Sequence, residues 1–226
     1  MCLILLGWRA LPDFPLIVAA NRDEFHSRPT AAAGFWSSPP GILAGRDLEA
    51  GGTWMGVARD GRFAAVTNYR GASEPRAAES RGALVTGFLD RKYSSRQYMT
   101  EVEQRASSYS GFNLLACDGE ELWWMSNRGG GPRRLAPGVY GLGNALLDDP
   151  EVDAAKARFR ASVEPAPAVD TLFGAIAESR IVNPQYGTRC STIFLQANGK
   201  ARYAERTFHA DGAEADTVQF EFAPDA

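Results

Sequence analysis

Short apolar runs open the chain. Cys2-Leu3-Ile4-Leu5-Leu6 and Leu16-Ile17-Val18-Ala19-Ala20 are continuous rather than alternating, and Pro12, Asp13 and Pro15 punctuate the stretch between them. This pattern predicts two buried strands joined by a turn. From Arg28 to Gly52 no period is visible; the segment is rich in Pro, Gly, Ser and Ala yet carries Phe35 and Trp36. A stretch of that kind reads as a long lid or binding loop whose aromatic rings cover a ligand. Thr53 to Ala58 and Arg62 to Asn68 then flank Asp60-Gly61, a hairpin signal.

The period changes in the next segment. Leu84, Val85, Phe88 and Leu89, followed by Tyr98, Val102 and Ala106 behind Ser94 and Ser95, recur at helical spacing and predict a helical pair. Phe112 to Cys117 and Glu121 to Ser126 flank Asp118-Gly119 as a second hairpin, in which Trp123 and Trp124 face opposite ways, and Val139 to Gly143 reads as a further strand. Val152, Ala155, Phe159 and Val163, then Val169, Leu172, Phe173 and Ile176, predict a second helical pair. Ser191 to Gln196 and Arg202 to Phe208 meet around Asn198-Gly199, and Thr217 to Phe222 supplies a final strand. Strands, helix pair, strands, helix pair, strands is the order expected of two packed antiparallel sheets with helices outside, an α+β fold without an internal linker.

Composition narrows the function classes. With 45% hydrophobic and 23% charged residues the chain is of folded, globular type, and a net charge of −3 without a basic block argues against nucleic acid as a partner. Cys2, Cys117 and Cys190 are too far apart in sequence for a zinc pattern and odd in number, which fits a reducing compartment. The apolar start is too short to span a membrane and lacks the marks of a signal peptide, so the expectation is a cytoplasmic protein without stable membrane insertion. His26 and His209 are the only histidines; they suit strand ends or surface, with neither a triad nor a metal site. Arg128, Arg133 and Arg134 read as solvated loop charges, the alternative being that they face an anionic ligand. Gly141 and Gly143 lack the glycine-rich helix start of a phosphate loop.

Two groups carry chemistry. Cys2 follows the initiator Met1; once Met1 is removed, thiol and free α-amine share one residue, and an amine of pKa about 7.7–8.0 can act as base near neutrality. The plainer reading is a small apolar residue opening a strand. Asn21-Arg22-Asp23-Glu24 ends the second apolar run with polar groups, either a solvated turn or a set that orients Cys2, with Asp23 the best placed.

Cys2, the tetrad at 21 to 24, Gly51-Gly52-Thr53-Trp54, Thr67-Asn68-Tyr69-Arg70, Gly141-Leu142-Gly143-Asn144 and Gly187-Thr188-Arg189 together resemble the NRDE family, also called the transport and Golgi organisation protein 2 family. The resemblance implies a single domain over 1–226 with the N-terminal-nucleophile hydrolase-like fold, a four-layer αββα sandwich of two antiparallel sheets. It also extends to the cysteine acylases that cleave bile-salt amides and penicillin V. By motif it implies that Cys2 is nucleophile, Asp23 its support, Asn68 and Asn144 oxyanion donors and Arg189 a late active-site arginine. Arg22, Phe35 and Trp36 are the expected substrate contacts. One departure stands out: the acylases place an arginine three residues before that aspartate, and this chain has Ala20. Arg22 compensates only if it turns inward, and because adjacent strand positions face opposite ways, Arg22 and Asp23 address Cys2 together only if the strand bulges.

The expected function is cysteine-dependent hydrolysis of an amide or thioester in a small apolar or acyl ligand, with no metal and no required cofactor. The alternative implied by the resemblance is a non-enzymatic carrier of haem, or of acyl-coenzyme A and lipid, in which haem is the cargo.

Overall fold

The structure, a computed structural model, describes residues 2–71, 79–164 and 166–225. In chain order come β1 (Leu3–Leu11), β2 (Phe14–Phe25), β3 (Thr30–Ser37), β4 (Pro40–Asp47), β5 (Met55–Ala58) and β6 (Phe63–Asn68), then helices α1 (Gly82–Asp90) and α2 (Ser95–Gln104). Strands β7 (Phe112–Cys117), β8 (Leu122–Ser126), β9 (Arg133–Arg134) and β10 (Gly138–Leu142) precede α3 (Asp153–Val163) and α4 (Val169–Ala177). Last come β11 (Tyr186–Ala197), β12 (Lys200–Phe208) and β13 (Glu214–Phe222). Internal contacts group these elements into two compact units interleaved in sequence.

The first unit comprises the residues up to Arg28, Pro137–Gly143 and Leu147–Pro224. Its sheet has six strands in the order β10-β1-β2-β11-β12-β13, every pairing antiparallel. The strand nearest the N-terminus is therefore interior to the sheet, and its unbroken apolar run is buried on both sides of the strand: Leu3 and Leu5 point to one face, Ile4 and Leu6 to the other, and all four are buried. On the first of these faces Leu3, Leu5, Ile17, Ala19, Ile193 and Leu195 pack against Phe159 of α3 and Leu172, Phe173 and Ile176 of α4. Gly141 allows this layer its close approach, since a Cβ there would lie 2.7 Å from a methyl of Val152.

The second unit holds Pro29–Ala136, Asn144–Leu146 and the residues from Asp225. Its seven strands form an uninterrupted meander, β3 through β9, with α1 and α2 packed on one face through Leu84, Val85, Phe88, Tyr98 and Val102. Helix α2 starts with a reciprocal capping box between Ser94 and Gln97. The end of α1 is closed by a side chain from the sheet. Arg62, beside β6, donates from Nη1 to the Phe88 carbonyl at 2.9 Å and to that of Arg91, and from Nη2 to the Leu89 carbonyl at 3.1 Å.

Two sequence expectations are corrected in this unit. The segment from Arg28 to Gly52 is not a long loop: most of it is the hairpin β3–β4, whose register runs from Thr30 opposite Asp47 to Ser37 opposite Pro40. Its glycine content hid the strand period; Gly45, for example, leaves room for the Trp54 indole, which would lie 2.5 Å from a Cβ at that position. Trp36 belongs to the core beneath the helices and donates from Nε1 to the Ala44 carbonyl at 3.0 Å. Phe35 lies under the Arg59 guanidinium, 4.2 Å from ring centroid to Cζ. Packing within the unit thus accounts for both rings. Arg133 and Arg134, expected in a loop, form edge strand β9 opposite Trp124 and Trp123, with Arg133 over the Trp124 ring at 5.1 Å.

Candidate active site

The site in the first unit is assembled by the pairing of β1, β2 and β11. Leu3 pairs with Asn21, so Cys2, one residue earlier, lies beside the end of β2. Its thiol donates to the main-chain carbonyl of Asp23 at 3.5 Å. On the other flank of β2, Thr188 pairs with Asp23 and Cys190 with Arg22, leaving Arg189 as an extra residue in β11. The bulge is in the partner strand; β2 keeps its alternation.

That alternation sorts the tetrad. Asn21 faces the helical layer, donating from Nδ2 to the Ile176 carbonyl at 3.0 Å and accepting from the Ser191 hydroxyl at 2.6 Å. Arg22 is buried, 3.8 Å from the Glu24 carboxylate, and its charge acts on the Cys2 thiol. The Asp23 carboxylate is held by the Thr188 hydroxyl at 2.6 Å, and Thr188 in turn accepts from the Ile181 amide at 2.8 Å. The thiol therefore hydrogen-bonds the backbone of Asp23 and not its carboxylate. Both Arg22 and Asp23 still influence Cys2, one favouring the thiolate and the other opposing it.

Burial and the Asp23 carboxylate push the Cys2 thiol above its ordinary value; the hydrogen bond to Asp23 and the Arg22 charge pull the other way and are outweighed. Cys2 is thus a neutral thiol near pH 7, and its attack on a carbonyl requires a base. Met1, whose removal would liberate an amine on Cys2 itself, lies outside the described residues. Cys117 and Cys190 are fully buried, whereas Cys2 is partly accessible. Burial, then the neighbouring Glu205, pushes Cys190 well above the thiol range.

The bulge turns Arg189 onto the chain that leaves β2. Its Nη1 reaches the carbonyls of Phe25, His26 and Arg28 at 2.9, 3.2 and 3.1 Å, a clamp on the strand end. His26 sits at the same end, with Nε2 3.1 Å from the Asn183 carbonyl. Asn68 and Asn144 belong to the second unit and are neighbours there: Asn144 donates from Nδ2 to the Asn68 carbonyl at 2.7 Å.

Sequence reasoning missed Tyr186 and the part played by Thr188. Tyr186 pairs with Phe25, their rings edge-on at 5.2 Å, and its hydroxyl donates to the Asp23 carbonyl at 3.2 Å. Nothing in the local pattern marks Tyr186, because only the long-range pairing of β11 with β2 brings it to Cys2.

The model of the family described as "Transport and Golgi organisation 2" matches residues 1–180. The chain belongs to that family. A Transport and Golgi organization protein 2 homolog from Bos taurus is 35% identical, with 98% of this chain and 99% of that protein covered. Among solved structures, a mutant of conjugated bile acid hydrolase from Clostridium perfringens matches with a TM-score of 0.55 at 9% identity, covering 97% of this chain and 96% of its own. A Caenorhabditis elegans ortholog of N-acylethanolamine-hydrolyzing acid amidase matches with a TM-score of 0.54 at 7% identity, covering 86% and 92%. At such identities the likeness establishes the fold: α+β, N-terminal-nucleophile hydrolase-like, with two antiparallel sheets. No helix among the described residues is long and apolar enough to cross a membrane.

For this Transport and Golgi organisation 2 family member the accessibilities order the thiols. Iodoacetamide is expected to label Cys2 before Cys117 and Cys190, read by peptide mass mapping. Because the folded thiol titrates above its ordinary value, the Cys2 rate in chains retaining Met1 should climb with pH and show no plateau below about pH 8.5. A plateau near neutrality would reveal a preformed thiolate.

Proposed function

We propose that this protein is a cysteine-dependent hydrolase of an amide or thioester bond. The observation that carries the reading is the placement of Cys2: a partly accessible thiol beside the end of a central strand, held on the Asp23 carbonyl, in a fold shared with structures named as amide and bile acid hydrolases. In this reading Met1 is removed and the Cys2 α-amine takes the thiol proton. Sγ then bonds to the substrate carbonyl carbon, whose π pair moves to oxygen. Collapse expels an amine or thiol that carries off the proton from the α-ammonium, and water releases the acyl group from Cys2. A base on the nucleophile's own residue suits a thiol that is neutral at pH 7. Asp23, tied to Thr188, keeps its carbonyl aimed at Sγ.

The test is an intact-mass measurement after mixing the protein with palmitoyl-coenzyme A and with the matching palmitoyl amide. Loss of the Met1 mass and an acyl adduct mapped to Cys2 are expected. A chain that keeps Met1 and gains no adduct overturns the proposal.

One observation favours a second reading. With Met1 retained, the raised thiol pKa leaves Cys2 a poor nucleophile, which suits a carrier of acyl-coenzyme A or haem. Such a carrier binds palmitoyl-coenzyme A or a porphyrin without consuming it.

A further inference from the structure

We infer that Tyr186 is a further catalytic residue, whose hydroxyl donates a hydrogen bond to the oxyanion formed when Cys2 attacks its substrate. The inference rests on the hydrolase reading and adds a donor to it. Its basis is one shared acceptor: the main-chain oxygen of Asp23 receives both the Cys2 thiol, at 3.5 Å, and the Tyr186 hydroxyl, at 3.2 Å. Two donors on one carbonyl oxygen are separated by no more than the sum of those distances. The carbonyl carbon bonded to Sγ therefore forms in the neighbourhood of the phenol, and in this inference the oxygen it bears lies on the Tyr186 side.

The surroundings suit a donor. The Tyr186 ring is fixed by the β11–β2 pairing and by its edge-on contact with Phe25, so only the hydroxyl hydrogen has to rotate about the C–O bond. Burial first, then the charge of a Cys2 thiolate, raises the phenol above its ordinary value, and it remains protonated throughout the neutral range. The neighbouring polar groups have other bonds: the Thr188 hydroxyl is on the Asp23 carboxylate and Arg189 Nη1 on the carbonyls after β2. In the ground state the phenol stays on the Asp23 carbonyl. As Sγ bonds to carbon and the π pair becomes an alkoxide, the thiol no longer competes for that carbonyl. The O–H then turns to the stronger acceptor, and when the alkoxide collapses and the leaving group departs, it returns. No proton leaves Tyr186 in this cycle; a neutral donor held in place is the usual form of oxyanion stabilisation.

The experiment compares Tyr186→Phe with the unaltered protein, Met1 removed in both, in two reactions at Cys2: acylation by palmitoyl-coenzyme A, which passes through an oxyanion, and alkylation by iodoacetamide, which does not. Acylation is expected to fall about 10²–10³-fold, as for loss of one oxyanion donor, with the alkylation rate unchanged. Acylation at the unaltered rate overturns the assignment and leaves the hydrolase reading standing. An equal fall in both reactions overturns it too, since the phenol would then only place the thiol. No acylation in the unaltered protein removes the hydrolase reading and this inference together. If Tyr186→Phe does not fold, Phe25→Ala takes its place: Phe25 is 56% exposed, so its loss loosens the phenol and spares the core. It should slow acylation but not alkylation, and no change in either overturns the inference.

Discussion

On the proposed hydrolase mechanism Cys2→Ala is expected to abolish hydrolysis of palmitoyl-coenzyme A or the palmitoyl amide, a loss of more than about 10⁴-fold, because that mechanism forms its covalent intermediate on the Cys2 thiol. Cys190 cannot substitute. It is buried and separated from Cys2 by the whole width of β2, and its thiol is held far from ionisation by burial and Glu205. The fold should survive. Cys2 precedes β1, is partly accessible, and makes one long hydrogen bond through sulfur, so the stability change should stay within about 1 kcal/mol. Turnover and a denaturation curve on the same sample check both halves of this expectation. Turnover that persists in Cys2→Ala would rule out the cysteine mechanism. Unchanged affinity for palmitoyl-coenzyme A and for a metal-free porphyrin, without turnover in either protein, would identify a carrier; a metal-free porphyrin excludes thiolate ligation as the source of binding.

The second large effect concerns stability. Arg62→Ala should destabilise the protein by about 2–4 kcal/mol, because it strips the carbonyls at the end of α1 of their buried donor rather than merely removing a contact. Arg62 is almost wholly buried, pairs with the Asp60 carboxylate at 2.9 Å, and closes the end of α1 on the carbonyls of Phe88, Leu89 and Arg91. Those carbonyls belong to the last turn of α1 and the residues just after it, where no helical partner exists. Arg62→Lys should recover only a minority of the loss, since an ammonium cannot span the several acceptors that a planar guanidinium meets. Chemical denaturation measures the change; a loss under about 1 kcal/mol for Arg62→Ala would mean that water replaces the guanidinium at the helix end.

Much of the architecture was legible in local pattern. The apolar runs 2–6 and 16–20, the Asp60-Gly61 and Asp118-Gly119 turns and the helical positions Leu84, Val85, Phe88, Tyr98, Phe159, Leu172 and Ile176 all occur where the sequence places them. Where glycine or charge masked the alternation, the reading failed: β3–β4 passed for a loop, β9 for free arginines, and β11 began at Tyr186 rather than at Ser191. The early part of β11, Tyr186-Gly187-Thr188-Arg189, has no apolar run because its partner is the polar tetrad and not the core.

The site divides along the same line. The sequence by itself determined the family, through six ordered motifs, and with it Cys2 and Asp23 as the residues to examine. It also determined that alternation keeps Arg22 and the Asp23 side chain apart, since the two-residue period of a strand is a local property. Only tertiary structure decided that the thiol meets the Asp23 backbone, that Thr188 holds the carboxylate, that Arg189 clamps the end of β2, and that Tyr186 shares an acceptor with Cys2. Each of those contacts joins β2 or Cys2 to residues more than a hundred positions away or across a strand pairing. The register that creates them is set by burying the apolar face of the six-stranded sheet under α3 and α4, a long-range condition that no window of sequence contains.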